Sequence, residues 1–126
     1  MPIADLATHP VTKTPYGRWQ ALNAELGITG FGINAIVCDP GETIDTEHDE
    51  TDSGQHEAYI VVAGSAEFRI GTETVQAHAG TVVSAPNPGA TRGFRPLEPG
   101  TRIVCVGAVP DAAPPAFGDW IGQASP

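Results

Sequence analysis

The sequence predicts an all-β fold: a single antiparallel jelly-roll β-barrel with one short N-terminal helix. Three observations point there. Gly 15 and Pro 12 among 126 residues are spread along the chain as turn punctuation. Between them lie eight short apolar or alternating runs of strand length. One stretch near the N-terminus has helical spacing, and no second helix interrupts the strands. Short strands at that interval suit a closed barrel or a jelly-roll sandwich. With 40% apolar and 17% charged residues, the chain buries a core as one domain and leaves no room for a second of ordinary size.

Residues 1–16 are polar and punctuated by prolines, and read as an extended arm lying over the domain. Residues 18–26 (RWQALNAEL) read as the helix, with Trp19, Leu22 and Leu26 on one face and Gly27 as its stop. The arm and helix together span 1–27, and the barrel is expected over 28–109. Its strands are expected at 28–38, 42–48, 57–63, 65–70, 73–77, 81–85, 91–95 and 101–108. Pro40-Gly41, the loop 49–55, Gly64-Ser65, Gly71-Thr72, Gly80, Asn87-Pro88-Gly89 and Pro99-Gly100 supply the turns. The tail 110–126 is too rich in Pro and Ala for core strands; Phe117, Trp120 and Ile121 are expected to pin it to the barrel.

Six basic residues against fifteen acidic ones give a net charge of −9. Such a surface repels phosphates, which argues against nucleic acid and anionic membranes as partners. No apolar run approaches the roughly 20 residues of a membrane span, and the N-terminus lacks a secretion-signal layout, so a cytoplasmic location is expected. Cys38 and Cys105 sit in apolar β-type runs without metal-type spacing and read as two buried free thiols. Glu42, Asp45, Glu47, Asp49, Glu50, Asp52 and Glu57, seven of the fifteen acidic residues, fall within sixteen positions that also hold His48 and His56. The loop 49–55 has no apolar anchor to offset its ordering entropy and is expected to be a mobile flap at the barrel mouth.

Two short patterns carry more chemistry. Glu57-x6-Gly64 closes an apolar strand, and Gly80-x5-Pro86 followed by Gly89 brackets another. In this order and with this strand rhythm, residues 28–108 resemble the cupin superfamily, in particular small single-domain cupin-2-like barrels. The resemblance implies three histidines and one glutamate inside the barrel mouth on a divalent metal, a donor set that suits iron, manganese, nickel, copper or zinc. Glu57 matches the motif glutamate, Gly64 the closing glycine and Gly41 the opening one. The distance from Gly41 to His48 fits neither histidine position. His48 therefore stands at the second, leaving Thr46 at the first, or at the first, leaving Glu50 at the second. The long loop after it favours the former. Strand parity puts His48, Thr46 and Ile44 on the inward face in both registers.

The second motif departs further. With one extra residue between Pro86 and Gly89, the count from Gly89 arrives at Arg92, so Arg92-Gly93-Phe94 stands where the family often has His-Gly-Phe; without the insertion, Thr91 takes that place. Arginine has no lone pair to offer a cation. The metal ligands implied by the resemblance reduce to His48 and Glu57, which leaves either no metal or a weakly bound divalent transition metal.

A ligand pocket is expected where His48, Glu57, Tyr59 and Arg92 converge, lined by Tyr59 and Val61, which share the parity of Glu57, with Phe94 on its wall and Phe68 beside it. Arg92 would either pair with Glu57 in place of a metal or grip a carboxylate of the ligand through two parallel hydrogen bonds. The plain alternatives are a hydrogen-bonded structural Glu57, a rim His48 and a surface Arg92. His56 points away from Glu57 by parity, His78 belongs to a turn and His9 to the arm. Three functions follow: a small cupin that binds a small organic ligand, an anionic one if Arg92 is available; a metal-dependent dioxygenase, isomerase or decarboxylase using His48, Glu57 and either Glu50 or His56; and a structural or regulatory barrel. The resemblance also implies a homodimer through sheet edges or exchanged N-terminal arms.

Overall fold

The structure, a computed structural model, describes residues 1–15, 17–42 and 47–110. The elements run β1 (Thr12–Thr14), β2 (Gly17–Ala21), α1 (Asn23–Leu26), β3 (Gly32–Cys38), β4 (His56–Ala63), β5 (Ser65–Ile70), β6 (Glu73–His78), β7 (Val82–Ala85), β8 (Arg92–Pro96) and β9 (Thr101–Ala108). Every strand pairing is antiparallel. Among the described residues no helix is long and apolar enough to cross a membrane.

The strands form two sheets, one of six strands in the order β1-β2-β3-β9-β4-β7 and one of three in the order β6-β5-β8. A single closed barrel is therefore not what these strands make. Consecutive strands β7 and β8 end in different sheets, and the segment between them carries Pro86 and Pro88, which have no N–H to continue a ladder. The core lies between the sheets, built from Tyr59, Val61, Ala66, Phe68, Ala77, Val83, Ala85, Ile103 and Cys105. Alternation along β9, buried at Thr101, Ile103, Cys105 and Gly107, is what sends one face of that strand inward.

The helix expected over 18–26 is a correction. Residues 17–21 are a strand paired with β3, Trp19 facing Ile36 and Ala21 facing Asn34, and the helix shrinks to Asn23–Leu26. A nine-residue helix is marginal by itself, whereas a strand here satisfies the exposed edge of β3. Leu22 remains buried, and Gly27, at φ 68°, stops the helix as its sequence signal indicated. The strand expected at 28–38 starts only at Gly32, because the Asn23 side chain binds the backbone of the preceding bend through Ile28 O (2.9 Å), Phe31 O (2.7 Å) and Ile33 N (2.9 Å).

The arm is not wholly separate either: Thr12–Thr14 is the edge strand of the larger sheet. Buried Gln20 donates to Leu6 O (2.8 Å) and His9 O (2.9 Å), and His9 Nε2 lies 3.0 Å from Ala21 O, so the arm lies on its own chain. The middle of the strand expected at 42–48 (residues 43–46, including Ile44 and Thr46) falls outside the described residues, as do Phe117, Trp120 and Ile121 of the tail.

The remaining strands fall within a residue or two of their expected bounds, and the turn between β4 and β5 shows why. Gly64 has φ 71°, and a Cβ there would sit 2.9 Å from Thr101 Cα. Only glycine suits both the backbone conformation and the approach. Thr101 Oγ1 donates to Glu98 O (2.7 Å) and lies 3.1 Å from Ser65 O, tying the corner to the turn before β9. Cys38 and Cys105 are both buried free thiols.

Candidate ligand cavity beside the Glu57–Arg92 pair

The register of three neighbouring strands sets the floor of the site. Glu57 of β4 lies across from Gly107 of β9 and Ala85 of β7, and Tyr59 across from Cys105 and Val83. Asn34 of β3 also faces Cys105, so Asn34, Cys105 and Tyr59 stand side by side on one face. Gly107 leaves room at the Glu57 level: a Cβ there would sit 2.7 Å from Gln55 Oε1 and 3.4 Å from Glu57 Cγ.

His48 and Arg92 are brought in by an isolated antiparallel bridge. The amide of His48 donates to Arg92 O (2.9 Å) and that of Arg92 to His48 O (2.7 Å), a directly opposed pair whose side chains leave on the same face. Arg92 is 0% exposed, the largest fully buried side chain of the described residues. Its Nη1 donates to Glu57 Oε1 at 2.6 Å, Nε to Ala90 O at 2.8 Å and Nη2 to Asn87 O. The guanidinium is thus enclosed and committed.

Glu57 is the hub. Besides Arg92, its Oε1 accepts from the Tyr59 hydroxyl (2.9 Å) and lies 3.4 Å from His48 Nε2, while Oε2 accepts from the Cys105 thiol (3.3 Å). His48 Nε2 is also 3.0 Å from Glu50 Oε1, whose partner oxygen accepts from Ser53 Oγ. Burial pushes the Glu57 pKa up, but the hydrogen bonds from Arg92, Tyr59 and Cys105 outweigh it, and the net position is below the ordinary carboxylate value. Burial pushes the Cys105 thiol and the Tyr59 phenol upward, and the neighbouring Glu57 carboxylate adds to both. Neither ionises near neutral pH, so Cys105 is a hydrogen-bond donor here and not a nucleophile.

Because the folded pKa of Glu57 lies below the unfolded one, its ion pair contributes stability above the unfolded value of about 4.3 and loses it as pH falls through the folded value. Thermal unfolding between pH 7 and pH 3 is expected to show the wild type losing stability as the pH falls below the unfolded carboxylate value of about 4.3. Glu57→Gln should be less stable at pH 7 and fall less steeply in acid. Parallel acid profiles for the two proteins would show that Glu57 carries none of this dependence.

An open cavity of about 370 Å³ adjoins this network. Its apolar wall is Trp19, Ile36, Tyr59, Phe94 and Cys105; its polar wall is Asn34, Gln55, His48, Asp49, Glu50 and Glu57. Of the residues expected to converge, His48, Glu57, Tyr59 and Phe94 border the cavity. Arg92 stands behind Glu57 and does not, and Val61 and Phe68 are core. The loop 49–55 is tied down rather than unanchored: Glu50 N donates to Pro88 O (2.8 Å), Gly54 N to Glu50 O (2.6 Å) and Thr51 N to Asp49 Oδ1 (3.0 Å). Its anchors are polar, which a search for apolar residues does not detect. His56 is exposed on the opposite side of β4, and His78 is exposed with Nδ1 against Ala79 O.

No family model and no curated protein matches the sequence. Solved structures do match. A Cupin 2 conserved barrel domain protein from Salinispora arenicola is 22% identical, with 98% of each chain covered and a TM-score of 0.66. KdgF from Halomonas sp. is 17% identical over 86% of this chain and 93% of that one, with a TM-score of 0.68. A predicted oxalate decarboxylase from Thermotoga maritima is 13% identical over 86% and 99%, with a TM-score of 0.70. The chain has the cupin fold.

The resemblance drawn from the sequence implies metal ligands at the positions of His48, Glu57 and Arg92. His48, Glu50 and Glu57 do bring three ligand atoms within 4.8 Å of one another. The donor set nevertheless does not fit a tightly held transition metal. Glu57 has both oxygens engaged, one by a guanidinium at 2.6 Å. A divalent ion there would compete with those donors for Glu57 and lie beside a buried permanent cation.

Trp19, Asn34, Ile36, Gln55 and Cys105 border the cavity without having been expected at it. Asn34 carried the one available signal, a polar side chain in an otherwise apolar strand. Trp19 was hidden by its helical spacing.

Proposed function

We propose that this cupin binds a small organic molecule in the cavity between its sheets, without relying on a transition metal. The observation that carries the reading is the 2.6 Å Glu57–Arg92 pair, which supplies a cation at the centre of the site from the chain itself, next to a largely preformed cavity of about 370 Å³. Residues on the apolar wall would hold the body of the ligand, and Asn34, Gln55 and His48 its polar groups. Arg92 is enclosed and cannot grip a ligand, so the expectation of an anion held by it gives way. The cavity has carboxylates at its mouth instead. A homodimer and a cytoplasmic location are further parts of this reading, which the cupin resemblance and the composition support.

The test has two readouts. Ligand-observed NMR against a mixture of aromatic and aliphatic alcohols, amines and carboxylates of six to ten heavy atoms is expected to show saturation transfer with the wild type. The transfer should vanish in Asn34→Phe, which fills the cavity. Signals unchanged in that variant, or none with the wild type, overturn the reading. Elemental analysis of protein purified without chelator should give well under one equivalent of transition metal. A stoichiometric metal would instead favour the metal-dependent enzyme built on the His48, Glu50 and Glu57 group.

A further inference from the structure

The charge of the cavity wall is one-sided. Asp49, Glu50 and Glu57 border it, His48 stands among them, and among the described residues no lysine or arginine does. Arg92 is the cation paired with Glu57 in this network, but it is 0% exposed and does not border the cavity, and three of its N–H groups go to Glu57, Ala90 O and Asn87 O. Even with Arg92 counted, the formal charge of this group with neutral His48 is negative. The whole chain, at −9, adds to that field instead of opposing it.

Much of the remaining lining is aromatic. Tyr59 and Phe94 have ring centroids 6.4 Å apart and are tilted at 58°, and Trp19 closes the cavity with Ile36 from β2 and β3. Aromatic faces attract a cation that comes within about 6 Å of the ring centre, and the attraction is greater where water is excluded. They hold an apolar body equally well. Glu57 is 9% exposed and its charge is paired with Arg92 at 2.6 Å, so the carboxylate charges left to meet a ligand are those at the mouth. Asp49 is exposed, with Oδ1 taking the Thr51 amide, and Glu50 is held by His48 and Ser53 in a fixed position.

Resting on the ligand-binding reading above, we propose that the ligand is an organic cation: an ammonium or amidinium group on an apolar body of roughly six to ten heavy atoms. The charged group lies between Asp49 and Glu50 at the mouth, and the body lies against Trp19, Ile36 and Phe94. The same arrangement rejects carboxylates. A carboxylate here meets two like charges and no available cation, and it would be desolvated with no compensating partner.

Benzylamine, benzyl alcohol and benzoate share one body and differ in charge, which makes them the probes. Titration calorimetry, supported by tryptophan fluorescence in a Trp120→Phe background that leaves Trp19 as the reporter, is expected to rank them amine first, alcohol at least tenfold weaker and benzoate weakest. Raising the salt concentration should narrow the gap between amine and alcohol. Asp49→Asn and Glu50→Gln should each weaken benzylamine several-fold and leave benzyl alcohol within twofold. Asp49 is exposed, so its substitution leaves the fold intact even if loss of Glu50 disturbs His48. An alcohol that binds as tightly as the amine, or benzoate binding best, overturns the cationic ligand and keeps the cavity reading. Failure of all three probes overturns both.

Discussion

Arg92→Met is expected to lower the stability of the protein by about 3–5 kcal/mol, because it leaves the Glu57 carboxylate buried without its ionic partner. Glu57 is only 9% exposed and Arg92 is 0% exposed, so water cannot take the place of the missing guanidinium without opening the site. Two further bonds go at the same time, those to Ala90 O and Asn87 O, and with them the tie that holds the 86–91 turn against β8. For a domain of this size the loss corresponds to a fall in Tm of roughly 10–20 °C. The double variant Arg92→Met, Glu57→Leu separates the pair from its parts. With both charges gone no buried ion is left unpaired, and most of the lost stability should return. A single variant as stable as the wild type, or a double variant no better than the single one, would show that the pair does not hold the site.

Phe68→Ala is expected to cost about 3–5 kcal/mol, on the scale of large-to-small substitutions that leave a cavity. Phe68 is 0% exposed and sits between Tyr59 and Phe94, with centroids 5.6 Å from each. It comes from the three-stranded sheet and meets Tyr59 from the six-stranded one, so it carries the contact between the layers. Phe94→Ala should cost less, because Phe94 is half-buried and already borders open space. Urea unfolding of the two variants with unchanged m-values checks both magnitudes. Equal losses would place Phe68 outside the principal contact. Loss of ligand binding in Phe94→Ala without a large loss of stability would separate wall from core.

These two residues also show how far the chain can be read by itself. The sequence placed Phe68 on a strand at 65–70 beside the pocket; the strand has those bounds, and Phe68 is core. The motif count made Arg92 the odd residue at a metal-ligand position, but it left two uses open. Counting along a strand says which face a side chain takes, not what waits there. Only the fold places Glu57 2.6 Å away and encloses the guanidinium with two backbone carbonyls. Trp19 failed in the opposite direction: its spacing with Leu22 and Leu26 is helical, yet β3 offers an edge that a strand satisfies and a helix does not.

By itself, then, the sequence determined the class of the fold, the strands from His56 onward, the two buried thiols, the inward face that carries Glu57 and Tyr59, and an arginine where the resemblance implies a metal histidine. Those follow from local rules: the period of two along a strand, the conformations that glycine and proline impose, and the donor chemistry of each side chain. Tertiary structure decided the rest. The split into two sheets, the strand at 17–21, the bond from Glu50 N to Pro88 O and the pairing of Arg92 with Glu57 all depend on partners distant in the chain. A buried charge is tolerated only where its partners converge, and that convergence belongs to the assembled fold and to no segment of it.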